Sequence, residues 1–329
     1  MNKNAPLLPS LRRRGLLLST LAAAITLLPS LAQAAYPSKV VKVILPLPAG
    51  SPPDVVARLW AERVSKATGQ AFIIDNRAGA ATIIGAQAVA SAPADGYTLL
   101  YTISSTISIN PYVYKTLPYK PEDFEPISRI LTLPLVLVVS ANSPLKTAAD
   151  LIKAAKAAPG KMNYASYGQG QPSHVTFARF LNMAGISMTH VPYKDGGIPD
   201  IIAGNVDASF DPSNTAIPMI TGGRLRALAV TSPQRLSMLP DVPTVAEFIP
   251  GFAADPWQGL FAPKGVPPEI VARLAALTQD VVRSEDFRAR LRDLGMLPVG
   301  SSPAEFRTYL AEDSKAWAKV VRDNNIRMD

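Results

Sequence analysis

Residues able to do chemistry are few in this chain. It holds two histidines, His174 and His190, and no cysteine, which excludes disulfides, thiol catalysis and cysteine-based zinc sites. Nucleophilic catalysis by a serine needs a histidine base that a carboxylate orients. Ser104, His174 and Asp211 are the set that could assemble in space. The G-x-S-x-G and H-E-x-x-H signatures are missing, as is any tightly spaced carboxylate cluster. A secreted hydrolase is therefore the remote reading, and neither a metal nor an organic cofactor is expected. Gly168 and Gly170 precede a helix, which as a bare pattern is an ordinary turn. Ser173 stands where a dinucleotide fingerprint needs its third glycine.

What remains is ligand capture at the starts of helices. Residues 40–64 read as a β-branched buried strand, a Pro/Gly loop and an amphipathic helix. Ser51-Pro52-Pro53-Asp54 fits a capping box, with Ser51 at N-cap taking the Asp54 N–H and proline at N1. Arg58, Glu62 and Lys66 follow at i,i+4 spacing on the wet face. Such a unit aims a helix N-terminus at the carboxyl edge of a sheet, where open α/β folds bind small and often anionic ligands. Residues 162–175 repeat the design: a strand, a glycine loop, and a helix with Pro172 in its first turn. His174, in that turn, either holds the loop by hydrogen bonds or touches ligand. His190 reads as structural, Asp54 as a helix-start charge, and Trp257 as packing. Asp211 either caps the next turn or faces the ligand. Arg77 either pairs across a hinge or is solvated.

The N-terminus reads as an export signal. Lys3 and Arg12-Arg13-Arg14 precede an apolar run over 15–28, and Ala32-Gln33-Ala34 is a cleavage motif. Residues 1–34 are thus a signal peptide, by the general or the twin-arginine route, and the product is periplasmic. That segment holds four of the 33 basic residues and none of the 25 acids behind the formal charge of +8. Without them the chain is mildly basic, with no Lys/Arg cluster interleaved with aromatics, which suits nucleic acid poorly.

About 295 residues then remain, near the limit for a single core. Strand-like and helix-like segments alternate from residue 36 onward, predicting βαβ units and largely parallel sheets. Strands are expected at 72–74, 97–103, 135–139, 162–166, 188–191, 206–210, 227–231 and 257–262. Helices are expected at 84–92, 146–158, 268–284 and 286–294, with a last one behind the capping box Ser302-Pro303-Ala304-Glu305. Residues 211–214 read as a polar loop. The strand at 135–139 carries the chain into a second domain and 257–262 brings it back. The expected division is lobe one at 35–137 plus 257–329 and lobe two at 138–256. Two crossovers between α/β lobes make a hinge, and the cleft closes on a ligand.

The ordered set YPSKVVKVILPLPAG, DNRAGA, IIGAQAVA, PADGYTLL, INPYVY, NYASYGQGQPSHV, HVPYKDG, GGRLRALAVTS, LPDVPTVAE and KAWAKVV resembles the Bug-type extracytoplasmic solute receptors of tripartite tricarboxylate transporters. The likeness covers nearly all of 36–326. It implies a type II periplasmic-binding-protein fold that closes over a small carboxylate. It also implies two binding loops. One carboxylate would be held, partly through ordered waters, at Leu47, Pro48, Ala49, Gly50 and Ser51. The distal end would lie on Ser166, Gly168, Gln171, Ser173 and His174, with Asp211 at its strand end. Ser104, after the third strand, completes the expected set. The implied partners are an organic acid and membrane permease subunits, with a membrane sensor as the alternative, and the receptor is expected to be monomeric.

Departures from the family pattern bear on the ligand. Pro52 and Pro53 remove backbone N–H groups. Gln171-Pro172 replaces two hydroxyl residues, and Ala81-Thr82-Ile83 stands where Gly-Gly-Asn is common. The expected ligand is therefore less charged than a citrate-like tricarboxylate: an aromatic acid or a monocarboxylate.

Overall fold

The computed structural model describes residues 36–252, 254–324 and 326–328. The signal segment expected at 1–34 lies outside them. The chain separates into a short unit, Met1–Ser38, and a large compact unit, Lys39–Asp329, which holds every helix and strand described here.

The first half of that unit runs β1 (Val41–Leu45), α1 (Pro52–Thr68), β2 (Phe72–Asn76), α2 (Ile83–Ala90), β3 (Thr98–Ile103), a π-helical turn at Ser105–Ile109, α3 (Asn110–Val113) and β4 (Phe124–Thr132). After only Leu133 and Pro134 come β5 (Leu135–Ser140), α4 (Ala148–Ala157), β6 (Asn163–Ser166), α5 (Pro172–Ala184), β7 (Thr189–Pro192), α6 (Ile198–Ala203), β8 (Ala208–Pro212), α7 (Ser213–Thr221) and β9 (Leu225–Val230). The chain closes with β10 (Trp257–Pro263), α8 (Pro268–Arg283), α9 (Glu285–Asp293), β11 (Leu297–Pro298) and α10 (Pro303–Asp323).

The strands form two sheets, ordered β11-β4-β10-β3-β1-β2 and β7-β6-β8-β5-β9. β1 is parallel to β2 and β3, whereas β10 is antiparallel to β3 and β4. The second sheet repeats this scheme: β6 is parallel to β7 and β8, and β5 is antiparallel to β8 and β9. Each sheet therefore takes one antiparallel strand that arrives directly from the other half of the chain.

β5 shows why these strands are apolar throughout. All six of its residues are buried. Leu135, Leu137 and Val139 enter a core with Phe177, Phe180 and Phe210, while Val136 and Val138 enter another with Ala165, Ile201 and Val230. A strand covered on both faces needs no polar alternation. Sheet one packs Ile44, Leu100, Trp257, Phe261 and Phe306 into a further core. α10 joins two of these cores: Phe306 lies in the sheet-one cluster, and Trp317, Val320 and Val321 lie with Phe177 and Phe210. At 21 residues the helix is about 30 Å long, enough to span both.

Two differences from the sequence reading bear on the layout of the sheets. β4 was not expected; Pro126 argues against a ladder strand, yet the strand forms, with register shifts near Gly259 and Phe261 of β10. The loop expected at 211–214 is instead the end of β8 and the first turn of α7. Ser213 donates to the Gly295 carbonyl and its N–H to the Pro134 carbonyl, which fixes that turn.

Candidate ligand site

The first loop is built around Asp54, not Ser51. Ser51 is the N-cap residue of α1 but makes no capping bond; its Oγ donates to the Pro48 carbonyl at 2.7 Å. This corrects the expected capping box. Asp54 is 3% exposed and accepts from the Gly50 N–H (2.9 Å), Asn76 Nδ2 (2.8 Å) and Arg58 Nε (2.9 Å). Asn76 Nδ2 also reaches the Leu47 carbonyl. Burial pushes the Asp54 carboxyl up, but its bonds to Arg58, Gly50 and Asn76 outweigh this and hold it low. The Gly50 N–H is thus already taken by a carboxylate within the protein. The first three positions of α1, Pro52-Pro53-Asp54, supply a single N–H.

The second loop is held by a small polar network. Ser173 Oγ accepts the Tyr167 N–H at 3.0 Å, and Ser166 Oγ accepts the Gly168 N–H at 3.1 Å. Gly168 (φ 116°) and Gly170 (φ 74°) occupy backbone regions that side chains avoid. His174 Nδ1 accepts the Gly170 N–H at 3.0 Å, so it carries no proton. The His174 ring stacks on His190 at 4.0 Å, and His190 Nε2 meets Ser166 Oγ at 2.6 Å. Burial, and then the neighbouring His190, push His174 down to about 3. His174 therefore works as a neutral clamp on the loop.

Asp211 is fully buried at the end of β8. Its Oδ2 accepts from Thr215 Oγ1 at 2.7 Å, and its Oδ1 has no partner among the described residues. Burial raises it to about 6, against the pull of the Thr215 and Tyr167 hydroxyls. Ser104, His174 and Asp211 do not form a triad. Ser104 Oγ has no hydrogen-bond partner among the described residues, and the other two are occupied as just described. Among the described residues no group of three or more His, Cys, Asp or Glu could hold a metal.

A cavity of about 250 Å³ opens where the chain passes between the sheets. Ile103 and Ser104 from the end of β3, with Trp257 and Gln258 from the start of β10, form one side. Tyr167, Gln171, Pro172, Ser173 and Pro212 form the other. Leu133, Leu135 and Pro256, from the two connections, and Pro53 from α1 complete it. The walls are mostly apolar, and no Lys or Arg lines them. Of the expected site residues, Ser104, Gln171 and Ser173 meet here. Ser166, Gly168, His174 and Asp211 are not lining residues and support the second loop or its strand. Leu47, Pro48, Ala49, Gly50 and Ser51 do not line the cavity; α1 contributes Pro53 instead.

Gln258 and Tyr167 line the cavity and were not among the expected site residues. A lone glutamine in the otherwise apolar strand Trp257–Pro263, every residue of which is buried, was the signal available. Trp257 packs as expected and also lines the cavity. It lies edge-on to Phe306 and donates from Nε1 to Asp313 at 2.8 Å. Arg77 pairs locally with Asp75 at 3.0 Å. A larger groove of about 770 Å³ is lined by Arg129 and Arg179 but also by Asp255, Glu312 and Asp313. Three carboxylates thus face two guanidinium groups there, so the groove offers an organic anion no surplus of positive charge.

Two sheets of matching strand order, each completed by a strand from the other half and with a cavity at the crossing, define the two-lobed type II periplasmic-binding-protein fold. Residues 56–326 match the model of the tripartite tricarboxylate transporter family receptor, and the chain belongs to that family. Protein BugT of Bordetella pertussis is 34% identical over 298 residues, covering 89% of this chain and 91% of BugT. The solved structure of R. palustris Rpa4515 with adipate is 34% identical, with a TM-score of 0.77, covering 89% of this chain and 99% of that one. MatC (Rpa3494) from Rhodopseudomonas palustris with bound malate is 31% identical, with a TM-score of 0.73, covering 87% and 100%.

Proposed function

We propose that this chain is a periplasmic receptor that captures a small organic carboxylate and delivers it to the membrane permease of a tripartite transporter. On this reading residues 1–34 direct export and are removed, and the receptor acts as a monomer. The lobes divide with the two sheets and close over the ligand about the connections at Leu133–Pro134 and Pro256. Family membership and two relatives solved with dicarboxylates support the carboxylate class.

The observation that carries the finer reading is the lining of the cavity. It offers hydroxyl and carboxamide groups at its two sides, apolar walls between them, and no cation. A tricarboxylate would bring several charges out of water with no counter-charge, which is costly without pairing. A benzene ring fits a cavity of roughly 150 Å³, so about 250 Å³ accommodates a ring or short alkyl body bearing a carboxylate. A thermal-shift screen of aliphatic, aromatic and amino-acid carboxylates tests this, because a ligand bound only by the folded form raises the melting point. Benzoate-like or alkyl acids should raise it, by an amount that grows with concentration. A shift with citrate alone would overturn the finer reading, and no shift with any acid the broader one.

A further inference from the structure

Gln258 is 2% exposed and lines the cavity, yet only half of its carboxamide is bonded. Its Oε1 accepts from the Tyr101 hydroxyl at 2.8 Å. Its Nε2 has no protein partner among the described residues. The orientation of the amide follows from Tyr101, which is fully buried. The phenol proton finds its acceptor in Oε1; rotating the amide would leave that proton buried and unpaired, the more costly arrangement. The strand register explains the contact. Gln258 lies opposite Ile103, and Tyr101 opposite Leu260, so Tyr101 and Gln258 are diagonal neighbours on one face of the sheet. Ser104, the residue after Ile103, lines the same cavity, and its buried Oγ has no hydrogen-bond partner among the described residues.

Two amide protons and one hydroxyl proton thus lack acceptors on one side of a cavity that no cation lines. We infer that Gln258, held by Tyr101 and assisted by Ser104, is the residue that grips the ligand's carboxylate at the sheet-one side. It makes this receptor select a singly charged carboxylate group on an apolar body there. This rests on the carboxylate reading above. A carboxylate provides two oxygens with about four acceptor positions, and a neutral amide satisfies it without a formal counter-charge. Tyr101 is a positioning residue, since it touches Gln258 and does not line the cavity.

The test is calorimetric titration of the full chain with benzoate and with adipate. Gln258→Leu keeps the shape and removes the donors; it should weaken binding of whichever acid the parent takes by about tenfold to a hundredfold. Gln258→Glu still accepts from Tyr101 but turns an oxygen toward the ligand, and should abolish binding at neutral pH. Tyr101→Phe should weaken binding several-fold in the parent and have no further effect in the Gln258→Leu background, a coupling that a purely structural role would not give. Unchanged melting points of the ligand-free variants establish that they fold. Parent binding with equal affinity in Gln258→Leu or Gln258→Glu overturns the Gln258 assignment and leaves the receptor reading intact. A parent that binds neither acid overturns the selection of a carboxylate on an apolar body, and the Gln258 assignment with it; the broader receptor reading falls only if no acid of the thermal-shift screen binds.

Discussion

The two histidines and Asp211 set opposite dependences of stability on pH. His174 is held neutral at about 3, against 6.5 for a free histidine. The folded chain therefore binds fewer protons than the unfolded chain across that window, and stability falls as pH drops through it. Asp211 is raised to about 6 from 3.8. Its folded form holds the proton longer, so its contribution is complete below 3.8 and is lost as pH rises through 6. The two effects offset each other between about pH 4 and 6. Asp211→Asn removes one of them, so urea unfolding of that variant should show a steeper acid loss, by up to about 1.4 kcal/mol per pH unit. Parallel profiles for the two proteins would contradict this. At this scale the sequence was only partly legible. That His174 sits in a helix first turn was readable; that Gly170 and His190 occupy its ring was not, because both contacts depend on how the loop folds back. Gln258 was hidden for a similar reason: one polar residue in an apolar strand discloses neither its face nor its diagonal neighbour.

Among the elements, the start of α1 shows how a local departure redirects a site. Pro52 and Pro53 remove two N–H groups, and Asp54 takes the Gly50 N–H, so the turn is satisfied internally. Asp54→Ala would leave the Gly50 N–H and Asn76 short of their acceptor. It should cost about 1–3 kcal/mol in denaturant unfolding. Ligand affinity should change little, since Asp54 does not line the cavity; a large affinity loss with unchanged stability would contradict this account. The Ala80-Ala81-Thr82 turn is a second departure. All three residues have positive φ, 43°, 49° and 79°, a conformation that costs an ordinary residue about 1–2 kcal/mol. Asn110 Nδ2 donates to the Ala81 carbonyl and Thr106 Oγ1 to Thr82 Oγ1, which holds the turn in place. The replacement of glycines was visible in the sequence, whereas the partners that sustain the strained turn come from the π-helical turn and α3, which periodicity did not reveal. The long helices and the Ser302–Glu305 capping box were legible because their signals are local. β4 was not, since its pairing with β10 tolerates Pro126 by shifting register.

For the whole molecule, the alternation of strands and helices predicted α/β layers, and the long-range order of motifs predicted the two-lobed class. Neither conveys that α10 packs on both cores, because a single amphipathic stripe does not name the surfaces it covers. The cavity lies where two short connections and two strand ends converge, so movement of one layer relative to the other changes its width directly. Its chemistry, donors without cations between apolar walls, is the central claim. The direct measurement is isothermal titration of the purified chain with benzoate, adipate and citrate under one buffer and salt condition. The account predicts saturable one-to-one binding of benzoate or adipate and at least about tenfold weaker binding of citrate, a difference of about 1.4 kcal/mol. Citrate binding as tightly as or more tightly than both would contradict it.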